Sequence, residues 1–342
     1  MRIQKIDGSF GEGGGQIIRS SVTLSSITNT PIQIDNIRKN RIKPGLRAQH
    51  LTSIKILSRI CNASVEGLKI GSTSIRFIPQ QVESHSFKED IGTAGSISLL
   101  LQVLIPAVAI AKKNLKLSII GGTDVKWSPT IDYTKYVLRE AYSRIGINFS
   151  LNVKKRGYYP RGGGVVDIEV FPSKNILPIN LLERKTNHAK LLCSCSNISK
   201  DLIINSIEKI EKELTKKGFS VTSDLKEETS IDKGSSMLVF SLDSSSIIGS
   251  DGLFDSKTGE FPENISKDFL SNNLGVDNHL ADMLVLPASL SKEMSVFRIH
   301  KITKHLETNL YITSKISGCK YGIGKLGSGY ELRIVGDSDS SI

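Results

Sequence analysis

One order of elements, helix–strand–helix–strand–strand, recurs three times along this chain at a spacing of about 80 residues, with one interruption. In the first copy a strand at 2–7 leads through a glycine turn to a helix at 13–26. A strand at 32–37, a helix at 46–60 and short strands near 63–68 and 72–78 follow. In the second copy helices at 94–111 and 131–145 alternate with strands at 115–120, 148–154 and 164–171. In the third, helices at 278–288 and 303–310 alternate with strands at 295–299, 316–321 and 330–335. One such unit cannot bury its apolar face alone, so the copies must stack. The expected fold is therefore α+β: three repeated βαβαββ-like units in one large domain, discontinuous over 1–183 and 275–338. The stretch 184–274 breaks the period and predicts a small inserted α/β domain before the third unit. It reads as a strand at 191–196, a charged amphipathic helix at 200–217, a strand at 237–242 and a loop over 244–252.

Composition narrows the partner. The 342 residues are 39% apolar, enough for a sizeable core, and carry a formal net charge of +11. A basic balance of that size favours a polyanion, either nucleic acid or an acidic membrane face. The longest apolar stretch, 97–111, is broken by Ser98, Gln102 and Pro106 and reads as a buried helix rather than a bilayer span, so no membrane association is expected. No secretory signal opens the chain, and its four scattered cysteines suit a reducing compartment, so a cytoplasmic location is expected. Cys193 and Cys195 lie two apart on a strand, with no second pair at zinc spacing, and read as inert thiols.

Two glycine-rich turns stand out. Gly8-Ser9-Phe10-Gly11-Glu12-Gly13-Gly14-Gly15-Gln16 opens the first helix. Free N–H groups and the helix dipole make such a turn an anion site, although a plain capping turn would look the same. Arg19 lies on the next turn, and Glu12 sits where a carboxylate could take a Mg²⁺ or Mn²⁺ bound to phosphates. The dinucleotide fingerprint is not met, because Gln16 stands where glycine or alanine is needed. The phosphate loop of common ATPases is absent, because Gly324-Lys325 is followed by Leu326. Lys5-Ile6-Asp7-Gly8 matches the short adenylation motif of nucleic-acid ligases, but that lysine falls on an opening strand with no other ligase motif. The second turn, Arg156-Gly157-Tyr158-Tyr159-Pro160-Arg161-Gly162-Gly163-Gly164-Val165, leads into a strand. It reads either as a β-hairpin turn with charged flanks or as a basic turn that meets phosphate.

Between them, Arg38, Lys39, Arg41, Lys43 and Arg47 crowd five cations into ten residues around the turn Pro44-Gly45. Arginines there would hold phosphates bidentately, and a short nucleic-acid end would fit. Of six histidines, His85 and His188 lie in polar stretches, and His279 stands on the helix at 278–288. His300 and His305 flank Lys301-Ile302-Thr303-Lys304, and His305 opens a helix, where a neutral imidazole is a competent nucleophile towards phosphorus.

Several of these segments together resemble the RNA 3′-terminal phosphate cyclase family. The motif Arg-Gly-x-x-Pro-x-Gly-Gly-Gly-x-aliphatic is matched from Arg156 to Val166. Residues 11–20 resemble the family's Gly-Glu-Gly-Gly-Gly-Gln-Ile-x-Arg-Ser segment, and 37–51 its Ile-Arg-x-x-Arg-x-x-Pro-Gly-Leu-x-x-Gln-His-Leu block. Gly121-Gly122-Thr123-Asp124, Leu280-Ala281-Asp282 with Pro287, and His305-Leu306-x-Thr308-Asn309 follow in family order.

The resemblance implies an enzyme that uses ATP and Mg²⁺ or Mn²⁺ to convert an RNA 3′-terminal phosphate into a 2′,3′-cyclic phosphate, through a histidine-AMP and an RNA-adenylate. It implies His305 as the nucleophile, Glu12 as an aid to metal or ATP phosphates, and Asp282 as the residue ordering nucleotide or histidine. It places Gln102, Pro129 and His279 with ATP, and Arg19, Arg38, Arg41 and Gln49 on phosphate or the RNA end. His279 departs from the tyrosine often found where the family packs adenine. A related ribosome-assembly branch, a non-adenylating RNA-binding or cleavage factor, lacks the nucleophilic histidine. An enolpyruvyl transferase would share the repeated unit but has no need of the basic block at 38–47.

Overall fold

The computed structural model describes residues 3–337. The expected strand start at Arg2 and domain end at residue 338 lie outside the described residues. The first quarter of the chain runs β1 (Gln4–Asp7), α1 (Gly15–Thr28), β2 (Ile32–Asp35), α2 (Ala48–Ile60), β3 (Ser64–Glu66) and β4 (Ile75–Ile78). Then come β5 (His85–Asp90), α3 (Ile97–Ile110), β6 (Leu115–Gly121), a π-helical turn Tyr133–Leu138 continuous with α4 (Arg139–Ile145), β7 (Phe149–Lys155) and β8 (Gly164–Val170). After β9 (Asn180–Leu181) the chain builds β10 (His188–Ser196), α5 (Lys200–Lys216), β11 (Ser220–Glu227), β12 (Gly234–Asp243), β13 (Ser246–Leu253) and α6 (Asn264–Ser271). It closes with α7 (Asn278–Ala288), β14 (Ser295–Ile299), α8 (Lys304–Ser317), β15 (Lys320–Leu326) and β16 (Gly329–Val335).

The architecture is α+β, as expected. Among the described residues the strands form four four-stranded sheets, ordered β1-β2-β4-β3, β5-β6-β8-β7, β15-β16-β14-β9 and β11-β10-β12-β13. In each of the first three, one parallel pair (β1 with β2, β5 with β6, β9 with β14) is extended by two antiparallel pairings. A continuous apolar core fills the space between these sheets and α1, α2, α3, α7 and α8. The fourth sheet has a second core in which Cys193 and Cys195 pack with Ile203, Ile207 and Phe269. All four cysteines are free and buried. Among the described residues no helix is long and apolar enough to cross a membrane.

Several elements differ from expectation. The loop predicted over 244–252 is the strand β13, paired along its length with β12. Its glycines signal close packing instead of a turn. A Cβ on Gly249 would lie 2.8 Å from the Tyr133 ring, and one on Gly252 would lie 2.8 Å from Ile265. The true turn is one step earlier, where the Asp243 carboxylate accepts from the N–H groups of Ser245 and Ser246 at 2.7 and 2.8 Å. β5 and β11 were not expected, because each is a polar edge strand exposed over much of its length. The helix expected over 303–310 or a little beyond continues to Ser317, so the strand expected at 316–321 begins only at Lys320.

The basic glycine turn is a structural joint and does not meet phosphate through Arg156. That side chain is 3% exposed. It donates from Nη1 to Asp124 (3.1 Å), from Nη2 to Asp132 (2.8 Å) and Ser194 (2.7 Å), and from Nε to Glu228 (2.7 Å). The glycines behind it let strands come together: a Cβ on Gly157 would sit 2.3 Å from the Gly121 carbonyl oxygen.

Candidate active site

Three helices meet at one point because a single polar side chain ties them. Asn309 of α8 donates to the Asp282 carbonyl of α7 (2.6 Å) and accepts from Ser20 (2.6 Å) and Gln16 (3.2 Å) of α1. The glycine loop before α1 then folds onto α8. Gly11 has φ +63°, and a Cβ there would fall 2.3 Å from Thr308 Oγ1, so the loop lies where only glycine fits. Glu12, next in sequence, is thereby held against His305. Its Oε2 stands 3.1 Å from His305 Nδ1, and its Oε1 accepts from Arg41 Nη2.

His305 is the second residue of α8, whose N-cap Thr303 accepts from Leu306 N–H at 2.8 Å. Burial holds its pKa below the ordinary 6.5. Glu12 opposes that shift, and Arg19, His279 and Arg41 reinforce it. The helix N-terminus acts in the same direction. The ring is therefore neutral at pH 7. Nδ1 faces the Glu12 carboxylate without a hydrogen bond to it, and a proton on that nitrogen would leave Nε2 its lone pair.

Asp282 lies behind Thr303, whose hydroxyl donates to Oδ1 at 2.6 Å. Burial pushes the Asp282 carboxyl up to about 7, with Thr303 and His279 pulling down and Asp277 and Glu12 adding to the rise. A folded-state pKa raised from 3.8 means that the folded protein holds this proton where the unfolded chain has lost it. Its contribution to stability is complete below about pH 4 and is lost as pH rises through about 7. Asp282→Asn should therefore leave stability nearly unchanged at about pH 3.5 and raise it at pH 8, by at most about 4 kcal/mol. Urea unfolding at the two pH values reads this, and an equal change at both would contradict it.

Beside the glycine loop, α2 brings a second group of donors. Arg19, Gln49 and His50 line one narrow cleft with Ser96 and Leu99 of the α3 N-terminus. Burial lowers Arg19 to about 10, against the pull of Glu12, which leaves it charged. Arg38 is lowered by burial and by Arg41 and Arg47. His50 was passed over in the sequence, yet it is 1% exposed. Burial, with Arg19, Arg38 and Arg47, lowers its pKa to about 3, so it is neutral. Its Nδ1 accepts from Arg47 N–H at 3.1 Å, so Nε2 carries the proton. That N–H, Arg19 Nε and Arg38 Nε are buried without a hydrogen-bond partner among the described residues. A Cβ on Gly15 would lie 2.5 Å from His50 Nε2 and 2.9 Å from Arg19 Nη1. Unspent donors packed around the first residue of a helix suit an anion.

On the other side, Gln102 of α3 donates to Met283 Sδ at 3.4 Å, next to Asp282. Pro129 is half-buried, and its neighbour Thr130 donates its N–H to Asp251 at 2.6 Å. Asp251 is raised by burial, with Thr130 and the exposed His279 lowering it. Lys5, by contrast, is exposed on β1. Among the described residues no three His, Cys, Asp or Glu side chains gather as a metal cluster.

Residues 10–323 match a family model described as RNA 3′-terminal phosphate cyclase. Three curated relatives carry the same name. The protein of Methanococcoides burtonii is 39% identical over 94% of this chain and 96% of its own. That of Methanosarcina barkeri is 37% identical over 96% and 99%. That of Hyperthermus butylicus is 37% identical over 97% and 97%. The neutral histidine, its carboxylate and the cleft lined by Arg19, Gln49 and His50 are thus set in a chain that belongs to the RNA 3′-terminal phosphate cyclase family.

Proposed function

We propose that this protein converts an RNA 3′-terminal phosphate into a 2′,3′-cyclic phosphate at the expense of ATP, with His305 carrying AMP. The observation that carries this reading is a neutral His305 imidazole, oriented by Glu12, beside a cleft of unspent phosphate donors. Nε2 attacks the α-phosphorus of ATP, a P–N bond forms, and pyrophosphate leaves. An oxygen of the RNA 3′-phosphate then takes AMP from the histidine, breaking the P–N bond. The adjacent 2′-hydroxyl attacks the 3′-phosphorus, its proton passes to solvent, and AMP leaves. The last step gains from proximity, since nucleophile and electrophile share one ribose.

Arg19, Arg38, Arg41, Gln49 and His50 would bind the RNA phosphate and spread its developing charge. Gln102, Pro129 and His279 would border the nucleotide, and Asp282 would hold Thr303 at the N-terminus of α8. Glu12 Oε2, a buried carboxylate oxygen without a hydrogen-bond partner among the described residues, suits one ligand of a Mg²⁺ or Mn²⁺ ion otherwise held by phosphate and water. Such an ion would offset phosphate charge. Four free, buried cysteines agree with a reducing, cytoplasmic setting.

The test is to incubate an oligoribonucleotide ending in a 3′-phosphate with ATP and the protein. The expected product resists phosphatase, and one AMP and one pyrophosphate appear per end. Bound RNA with an unchanged end and no AMP would favour a non-adenylating RNA-binding protein.

A further inference from the structure

Next to the His305 site lies a groove of about 600 Å³ that the proposed chemistry does not use. Its floor is aromatic. Phe10, from the glycine loop, stacks on Tyr311 of α8 with centroids 4.0 Å apart and planes at 23°. Tyr321 and Ile323 of β15 form the facing wall. Phe10 is 41% exposed, Tyr321 46% and Ile323 40%, an uncommon grouping of large apolar side chains left to water. Lys315 closes one end, its Nζ 5.2 Å above the Tyr311 ring and 3.0 Å from the Tyr311 hydroxyl. Alternation along β15 puts Lys325 on the face of Tyr321 and Ile323, and Lys325 makes no ion pair among the described residues. Glu307 is the one acidic side chain in the lining.

The groove shares two elements with the reacting centre, the glycine loop before α1 and helix α8. Phe10 is two residues before Glu12, and Glu307 is two residues after His305. Along α8, Tyr311 stands about 9 Å from His305. A chain whose 3′ end reaches the histidine would pass its next nucleotides over these rings.

Resting on the function proposed above, we infer that this groove takes the nucleobases of single-stranded RNA next to the 3′ end. A base would stack on the free face of Phe10 and on Tyr321, and Lys315 and Lys325 would meet the backbone phosphates. Aromatic faces with interleaved cations are how single strands are held without regard to sequence. A duplex could not offer its base faces, so the groove selects unpaired ends.

Two measurements test this on full-length protein carrying Phe10→Ala or Tyr321→Ala. The first is the Kd of a fluorescent single-stranded RNA with a 3′-phosphate, taken without ATP, so it reads the groove even in a protein that does not adenylate. Each variant should bind roughly 5- to 150-fold more weakly, and Phe10→Trp should bind at least as well as wild type. The second is AMP transfer to that oligonucleotide against transfer to a nucleoside 3′-monophosphate. The variants should lose efficiency on the oligonucleotide and keep it on the nucleotide, with histidine adenylation unchanged. Unaltered Kd values in both variants would overturn the inference whatever the adenylation result. So would a concentration-dependent dimer abolished by Tyr321→Ala with RNA binding intact, which would make this face a contact between copies of the chain. Absence of adenylation in wild type with weakened RNA binding in the variants would instead overturn the ATP-dependent reading and leave the groove standing.

Discussion

His305→Ala should lower turnover of a 3′-phosphate RNA by about 10⁴-fold or more, the scale on which enzymes lose rate when a covalent nucleophile is removed. No neighbour can substitute. His279 is exposed, and His300 accepts from Asn273 N–H at 3.3 Å, away from the Glu12 carboxylate. The variant should fold normally, because His305 is only partly buried and the α8 cap belongs to Thr303. It should also still bind the RNA end, since Arg19, Arg38 and His50 are untouched. The wild-type pH profile supplies a second reading. The His305 pKa lies below the ordinary 6.5, so adenylation should keep its rate down to that pH and fall below it. A turnover loss under about tenfold in the alanine variant would place the nucleophile elsewhere.

Arg156→Met should be the most damaging single change to stability, at about 3–5 kcal/mol. Methionine preserves length and apolar volume, so the loss isolates the charge. Burial pulls the Arg156 pKa down, but Asp124, Asp132 and Glu228 raise it further, and it stays charged. Removing it strands Asp124 and Asp132, which are 1% and 6% exposed. Burial already raises Asp132, with Arg156 opposing. In the variant Asp132, without its cation, would hold a proton in the folded state that the unfolded chain releases above about pH 4. The variant's deficit should therefore shrink as pH falls towards 5 and widen towards 8. Urea midpoints at both pH values check this. A deficit under about 1 kcal/mol at pH 8 would mean that the cluster is hydrated and adds little.

The candidate site was legible where chemistry forces residue type and spacing. Glycines around Glu12 signalled a loop before a helix N-terminus, and the structure packs that loop against Thr308 with no room for a side chain. The histidine was visible as a residue opening the helix expected from 303, and its role came from the family resemblance. His50 was not visible, because its importance comes from burial against Gly15 and from Arg19 and Arg38, which are distant in sequence, as well as from the nearby Arg47. Arg156 left two readings open for the converse reason. A basic glycine turn looks like a phosphate loop until three carboxylates from elsewhere in the chain are seen to use the guanidinium. Strand β13 was hidden because its glycines accommodate Tyr133 and Ile265, a packing demand that no local pattern announces. The polar edge strands β5 and β11 lack the alternation that marks a half-buried strand.

The central claim is that a neutral His305 takes AMP from ATP before any RNA is bound. The most direct test is to incubate the protein with ATP labelled at the α-phosphate and a divalent ion, without RNA, and to locate the label by peptide mass spectrometry. The account predicts an acid-labile adenylate on the peptide containing His305, discharged when 3′-phosphate RNA is added. An adenylate on Lys5, or stable protein-bound label that RNA does not remove, would contradict it.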